Sequence, residues 1–192
     1  MKIIVGLGNP GKKYDKTRHN VGYQFLEALI DHWNMPRDVF TKKFEAVCYE
    51  TEREGQKILL LAPTTFMNLS GRSVRAASVF YKIPPADILV VCDDLNLPCG
   101  KLRLRAEGSA GGQKGLQNII DQLATQAVPR LRIGIDRPPE NFDTVNYVLG
   151  RFSQKEAGFI EDSLPAAISA VNLWIREGLG PAMNQVNAPP KA

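Results

Sequence analysis

Two histidines, His19 and His32, are the side chains of this chain whose unperturbed chemistry places a charge change near neutral pH. His32 falls on the polar side of a helical pattern, near its end, and reads as a surface residue. His19 stands in Arg18-His19-Asn20, immediately before the same pattern. A helix N-terminus disfavours imidazolium, which keeps the ring in the neutral form that a general base needs. Asp93 and Asp94 close an apolar run of strand type, and ligands of open α/β sheets bind beyond the carboxyl ends of strands. A carboxylate at that place can hold one ring nitrogen of His19, fix its tautomer and leave the other nitrogen facing a water. Asn9, in a turn after the first strand, and Asn68, in Thr64-Thr65-Phe66-Met67-Asn68-Leu69-Ser70-Gly71, carry neutral amides. Such amides donate to a developing oxyanion and accept from a water without adding charge, although Asn is equally common in turns and caps. Phe66 and Met67 read as packing residues as readily as substrate contacts.

Other catalytic arrangements find no support in the residue pattern. No serine stands in a G-x-S-x-G elbow, and Ser109 lies instead in Gly108-Ser109-Ala110-Gly111. Cys48, Cys92 and Cys99 show no C-x-x-C spacing and no nucleophile motif; they read as reduced thiols of a cytoplasmic protein. Two separated histidines without a cysteine pair make a metal site a poor reading, and no cofactor is expected. What remains is direct attack by a water activated by a His–Asp pair.

The elements that must position these residues alternate between strand and helix patterns, which predicts a single α/β domain. Strands are expected over residues 2–7, 44–50, 57–62, 88–92, 101–105 and 131–135. Helices are expected over 21–33, from Ser70 through Tyr81, over 113–123, and from Ser163-Leu164-Pro165 onward through Ile168, Val171 and Ile175. Residues 101–105 follow 88–92 with no helix between them, so a twisted mixed sheet surrounded by helices is expected rather than a purely parallel one. The domain spans 1–186, and the Pro-containing tail 187–192 reads as loose. No apolar run approaches the ~20 residues of a membrane span, and the apolar start is too short for an export signal.

Gly6-Leu7-Gly8-Asn9-Pro10-Gly11 fits G-x-G-x-x-G after a strand, the fingerprint of a dinucleotide-binding turn. The context argues against that reading. Gly11 is followed by Lys12-Lys13-Tyr14-Asp15-Lys16-Thr17-Arg18, which has no apolar face to pack a helix on a sheet. A second strand ending in an acidic residue should come about 20 residues further on, where the helix pattern 21–33 lies instead.

The net charge is +4, and its placement says more than its sum. Lys101-Leu102-Arg103-Leu104-Arg105 alternates, so Lys101, Arg103 and Arg105 project together when the leucines face a core. Arg130 and Arg132 stand close to the same pattern on a later strand. Such a row suits a polyanion, or else protects a sheet edge.

Taken in order, several segments resemble the bacterial peptidyl-tRNA hydrolase family over essentially the whole chain. They are the Gly6–Gly11 turn, Thr17-Arg18-His19-Asn20-Val21-Gly22, Phe66-Met67-Asn68-Leu69-Ser70-Gly71, Asp93-Asp94-Leu95-Asn96-Leu97-Pro98, residues 108–112, Leu131-Arg132-Ile133-Gly134-Ile135 and Val148-Leu149-Gly150-Arg151-Phe152. The resemblance implies a monomer that hydrolyses the ester between a peptide and the 3′ ribose of tRNA. It implies His19 as base and Asp93, rather than Asp94, as its orienting partner. Asn9 and Asn68 would position the carbonyl and the water, and Tyr14 and Met67 would line the cleft. The basic residues 101, 103, 105, 130 and 132 would take phosphates of the acceptor end. The chain departs from the family's usual Gly-Gly-His-Asn-Gly, reading Gly111-Gly112-Gln113-Lys114-Gly115. Lys114 cannot accept a hydrogen bond as an amide does, but it can donate to a carbonyl or a phosphate. The departure leaves two expectations: an active hydrolase with Lys114 in the substrate site, or a weakened relative that binds RNA.

Overall fold

The central strands are continuous apolar runs because both faces of the sheet are covered. The computed structural model describes residues 1–189. Its seven-stranded sheet is built from β1 (Lys2–Gly6), β2 (Thr41–Lys43), β3 (Ala46–Arg53), β4 (Gln56–Pro63), β5 (Ile88–Asp94), β6 (Leu102–Arg105) and β7 (Arg130–Gly134). The spatial order is β2-β3-β4-β1-β5-β7-β6. β4, β1, β5 and β7 run parallel, while β2, β3 and β6 join antiparallel at the two edges. The mixed sheet expected from the sequence is present, but β7 separates β5 from β6.

Alternate residues of each strand enter two separate cores. On one face Ile4, Leu60, Leu89, Val91, Leu104 and Leu131 pack under α1 (Val21–His32), with Val171 and Trp174 from a long later helix. On the other, Ile3, Val5, Leu59, Leu61, Val90 and Cys92 pack under α2 (Ser70–Tyr81) and α3 (Lys114–Leu123). The remaining helices are α4 (Thr144–Leu149), α5 (Gln154–Glu177) and α6 (Leu179–Asn187).

β2, α4 and α6 were not expected, strand ends shift by one to three residues, and two boundaries differ more substantially. The helix expected to start at Ser163 starts ten residues earlier, because Ser153 and Glu156 form a capping box. Pro165 lies inside α5, not at its start. The tail expected to be loose from residue 187 is anchored at its first residue: Asn187 closes α6, and its amide pairs with the Leu104 N–H at 3.0 Å and the Leu104 carbonyl at 2.9 Å. Residues 190–192 of that tail lie outside the described residues. The dinucleotide reading fails on local structure, since Gly11 opens the short 3-10 turn Lys12–Tyr14, and the helix after β1 begins only at Val21.

Gly22 lets α1 lie directly on the sheet. A Cβ there would sit 2.4 Å from the Leu7 nitrogen and 2.5 Å from the Val91 carbonyl oxygen, both backbone atoms. Strand backbone cannot step aside as a side chain can. Gly22→Ala is therefore expected to cost about 3 kcal/mol, and the corresponding fall in Tm of about 6–12 °C is read by thermal unfolding. An unchanged Tm would contradict this close approach.

Candidate active site

β1, β4 and β5 all end at the same edge of the sheet, and their following turns enclose a cavity of about 380 Å³. This is the crevice beyond the strand carboxyl ends where α/β ligands bind. Asn9, His19, Phe66, Met67, Asn68, Asp93, Lys114 and Arg132 all line it, so most of the site residues expected from sequence meet in one place. Leu95, Val145, Val148 and Leu149 add an apolar wall.

His19 sits in a 3-10 turn, Arg18–Asn20, just ahead of α1. Its Nδ1 lies 2.9 Å from Asp93 Oδ2. A carboxylate oxygen accepts, so Nδ1 is the donor of this pair, and in the neutral ring the lone pair is on Nε2. Asp94 is spent elsewhere: its Oδ2 is 2.7 Å from Arg132 Nε and its Oδ1 accepts the Asn96 N–H at 2.8 Å. Of the adjacent pair, Asp93 is the one that faces His19.

Arg18 fixes the turn that carries the histidine. Its guanidinium meets Glu156 with two hydrogen bonds of 3.0 Å, stacks over Tyr147 at 4.3 Å and donates to the Tyr147 carbonyl. Burial alone would raise the Glu156 carboxyl, but the bonds from Ser153 and Arg18 hold it below the usual range. Asn9 is locked from three sides. Its N–H donates to Asn20 Oδ1 and its carbonyl accepts from Asn20 Nδ2, both at 2.9 Å, while its own Oδ1 accepts the Met67 N–H at 2.8 Å. Those bonds leave the Asn9 NH2 as the donor facing the cavity. Asn68, next to Met67, is exposed on the same cavity wall.

Three expected residues fall elsewhere or are compromised. Tyr14 is not on the cavity wall; it belongs to the Lys12–Tyr14 turn, where its carbonyl accepts from Thr17 and its ring lies under Lys13. Arg130 is 2% exposed, hydrogen-bonded weakly to the Gln126 carbonyl, and burial lowers its pKa. It is not a surface contact for phosphate, because Gln126 and the turn at Gly108 close over its guanidinium. Arg132 lines the cavity but is already paired with Asp94. Lys101 and Arg105 are exposed and Arg103 half-buried, on the edge strand β6 and its approach. Gln113, given no role from sequence, is buried at the centre of the site.

None of the cysteines lines the cavity, and burial pushes the Cys48 and Cys99 thiols up to about 11 and the Cys92 thiol higher. Among the described residues, no group of three or more His, Cys, Asp or Glu side chains is placed to hold a metal ion.

The family model for peptidyl-tRNA hydrolase matches residues 3–192. The chain belongs to the peptidyl-tRNA hydrolase family. A peptidyl-tRNA hydrolase of Rhodopirellula baltica is 49% identical over 189 residues, covering 98% of both chains. One of Desulfitobacterium hafniense is 48% identical over 187 residues, covering 97% of this chain and 100% of its own. The crystal structure of the peptidyl-tRNA hydrolase of Acinetobacter baumannii superposes with a TM-score of 0.89 at 38% identity, covering 98% of this chain and 95% of that one. No helix among the described residues is long and apolar enough to cross a membrane.

Proposed function

We propose that this chain hydrolyses the ester joining a peptide, or an N-blocked amino acid, to the 3′ ribose of tRNA, and that it works as a cytoplasmic monomer. The observation that carries the mechanism is the 2.9 Å contact between His19 Nδ1 and Asp93 Oδ2 at the floor of an open cavity. His19 Nε2 takes a proton from a water, and the resulting hydroxide attacks the ester carbonyl. The negative charge that develops on the carbonyl oxygen is met by amide donors, Asn9 Nδ2 and the Asn68 side chain, which need not reorganise because Asn9 is locked in place. The imidazolium then returns the proton to the departing ribose oxygen, and Asp93 stabilises its charge meanwhile. Phe66, Met67, Val145 and Val148 offer the peptide an apolar wall, and the Lys114 ammonium donates to a carbonyl or phosphate of the substrate. The test is release of free tRNA from purified N-acetylaminoacyl-tRNA by the native chain. Tight tRNA binding without turnover would replace the hydrolase reading by that of an RNA-binding relative.

Arg103 and Arg105 lie on the face of β6 opposite Leu102 and Leu104, with Lys101 exposed just before the strand. This concentrates cationic side chains at one edge of the sheet, where backbone phosphates of the acceptor end would bind. Arg105→Ala is expected to weaken tRNA binding and to reduce the slope of log K against log salt by about one. A salt titration that gives the native slope would remove Arg105 from the tRNA face.

A further inference from the structure

Gln113 is the buried N-cap of α3, and its amide works in two directions. Oε1 accepts the Leu116 N–H at 2.7 Å, which is the capping bond of the helix. Only an oxygen can take a helix N–H, so this bond decides which way the amide is turned, and the NH2 must point away from α3. It points at the catalytic carboxylate. Nε2 donates to Asp93 Oδ1 at 3.0 Å, while Asp93 Oδ2 faces the ring of His19. Met67 Sδ, 3.2 Å from Nε2, holds the amide from another side. Gly115 supplies the room, since a Cβ there would lie 2.5 Å from Met67 Sδ and 3.1 Å from Gln113 Oε1.

We propose that Gln113 is a positioning residue for the hydrolysis, tying the N-terminus of α3 to Asp93 so that the carboxylate keeps one oxygen on the helix cap and the other on His19. The proposal rests on the hydrolase reading of the site. Asp93 is 5% exposed, and a second donor holds a buried carboxylate in one rotamer and satisfies its other oxygen. The other charged groups on the cavity wall do not fill that place. Arg132 from β7 is taken up by Asp94 of β5, and Lys114 at the first position of α3 is exposed. Arg18, behind His19, is taken up by Glu156 of α5. A carboxamide also has no proton that titrates near neutral pH, so its donation to Asp93 is independent of pH across the range in which His19 works.

Gln113→Asn separates the two duties. Asn is among the best N-caps, but its side chain is one methylene shorter and cannot reach Asp93 while it caps α3. The expected result is a Tm only a few degrees below native, since the cap is kept and one buried bond is lost, an unchanged KM, and a kcat on N-acetylaminoacyl-tRNA lower by about 10- to 100-fold, the worth of one hydrogen bond to a charged group. The acid limb of the pH profile should also move to higher pH, because an Asp93 charge with one donor fewer favours the protonated imidazole. The downfield ring-proton resonance of His19 should shift or broaden in the same variant. That signal reads the His19–Asp93 bond without turnover, so it separates failure of this proposal from failure of the hydrolase reading. A native kcat and pH profile, with the resonance unmoved, would overturn the role of Gln113. A kcat loss that only tracks a fall in Tm would likewise reduce it to a helix cap.

Discussion

His19→Ala is expected to lower kcat on N-acetylaminoacyl-tRNA by about 10²–10⁴-fold, the usual contribution of a positioned general base. The size follows from the lack of a substitute in the cavity. Asp93 lies behind the ring and is nearly inaccessible. Asp94 is committed to Arg132 and to the Asn96 N–H. The Lys114 ammonium donates protons and accepts none. Water would have to attack unassisted, and only the amide donors and substrate binding would remain to accelerate the reaction. KM should change little, because the ring meets the water rather than the bulk of the substrate. The pH profile gives an independent check. A base must be neutral to act, so native activity rises with pH as the imidazole loses its proton, and this limb should vanish in the variant. Activity near the native level would remove His19 from the mechanism.

How much of this was legible in the sequence depended on whether a residue's surroundings were local. Asn9, His19 and Asn68 lie in turns after a strand or before a helix and Asp93 in the last residues of β5, and strand ends in an α/β sheet converge on one edge. Their meeting could be expected before the order of the strands was known. Arg105 and Arg130 show the opposite case. Both are arginines on short alternating strands, and they are direct partners in the ladder. Their difference comes from cover: Gln126 and the turn at Gly108 close over Arg130, while Arg105 stands on the open edge strand. The alternation of neither strand announces that cover. The start of α5 was legible and was obscured by a competing signal. Ser153 and Glu156 carry the spacing of a capping box, yet Ser163-Leu164-Pro165 imitates a start ten residues later. Gln113 stood out as a departure from the family pattern, but its meaning lies in a bond to a residue 20 positions away.

Asp93→Asn is expected to cost as much as the loss of His19, about 10²–10⁴-fold in kcat, although it changes a single atom type. Asp93 accepts from two donors, His19 Nδ1–H and Gln113 Nε2–H, and each oxygen is taken. An Asn side chain has one acceptor and one donor group to place between them. If its oxygen turns to Gln113, its NH2 faces the ring and donates to Nδ1. The imidazole must then carry its proton on Nε2, and the nitrogen that faces the water is no longer basic. If its oxygen turns to His19, its NH2 meets that of Gln113, which cannot flip without breaking the cap of α3. The native enzyme escapes this conflict because a carboxylate has no polarity to misplace. The same reasoning predicts a partial rescue. In the double variant Asp93→Asn with Gln113→Glu, the new carboxylate accepts both the Leu116 N–H and the Asn NH2, which frees the Asn oxygen to face His19 Nδ1–H. Turnover of the double variant should exceed that of Asp93→Asn alone by about tenfold, as expected for restoring one charge-assisted hydrogen bond between coupled residues. Equal turnover would mean that the negative charge itself must sit at position 93, with hydrogen-bond polarity secondary to it.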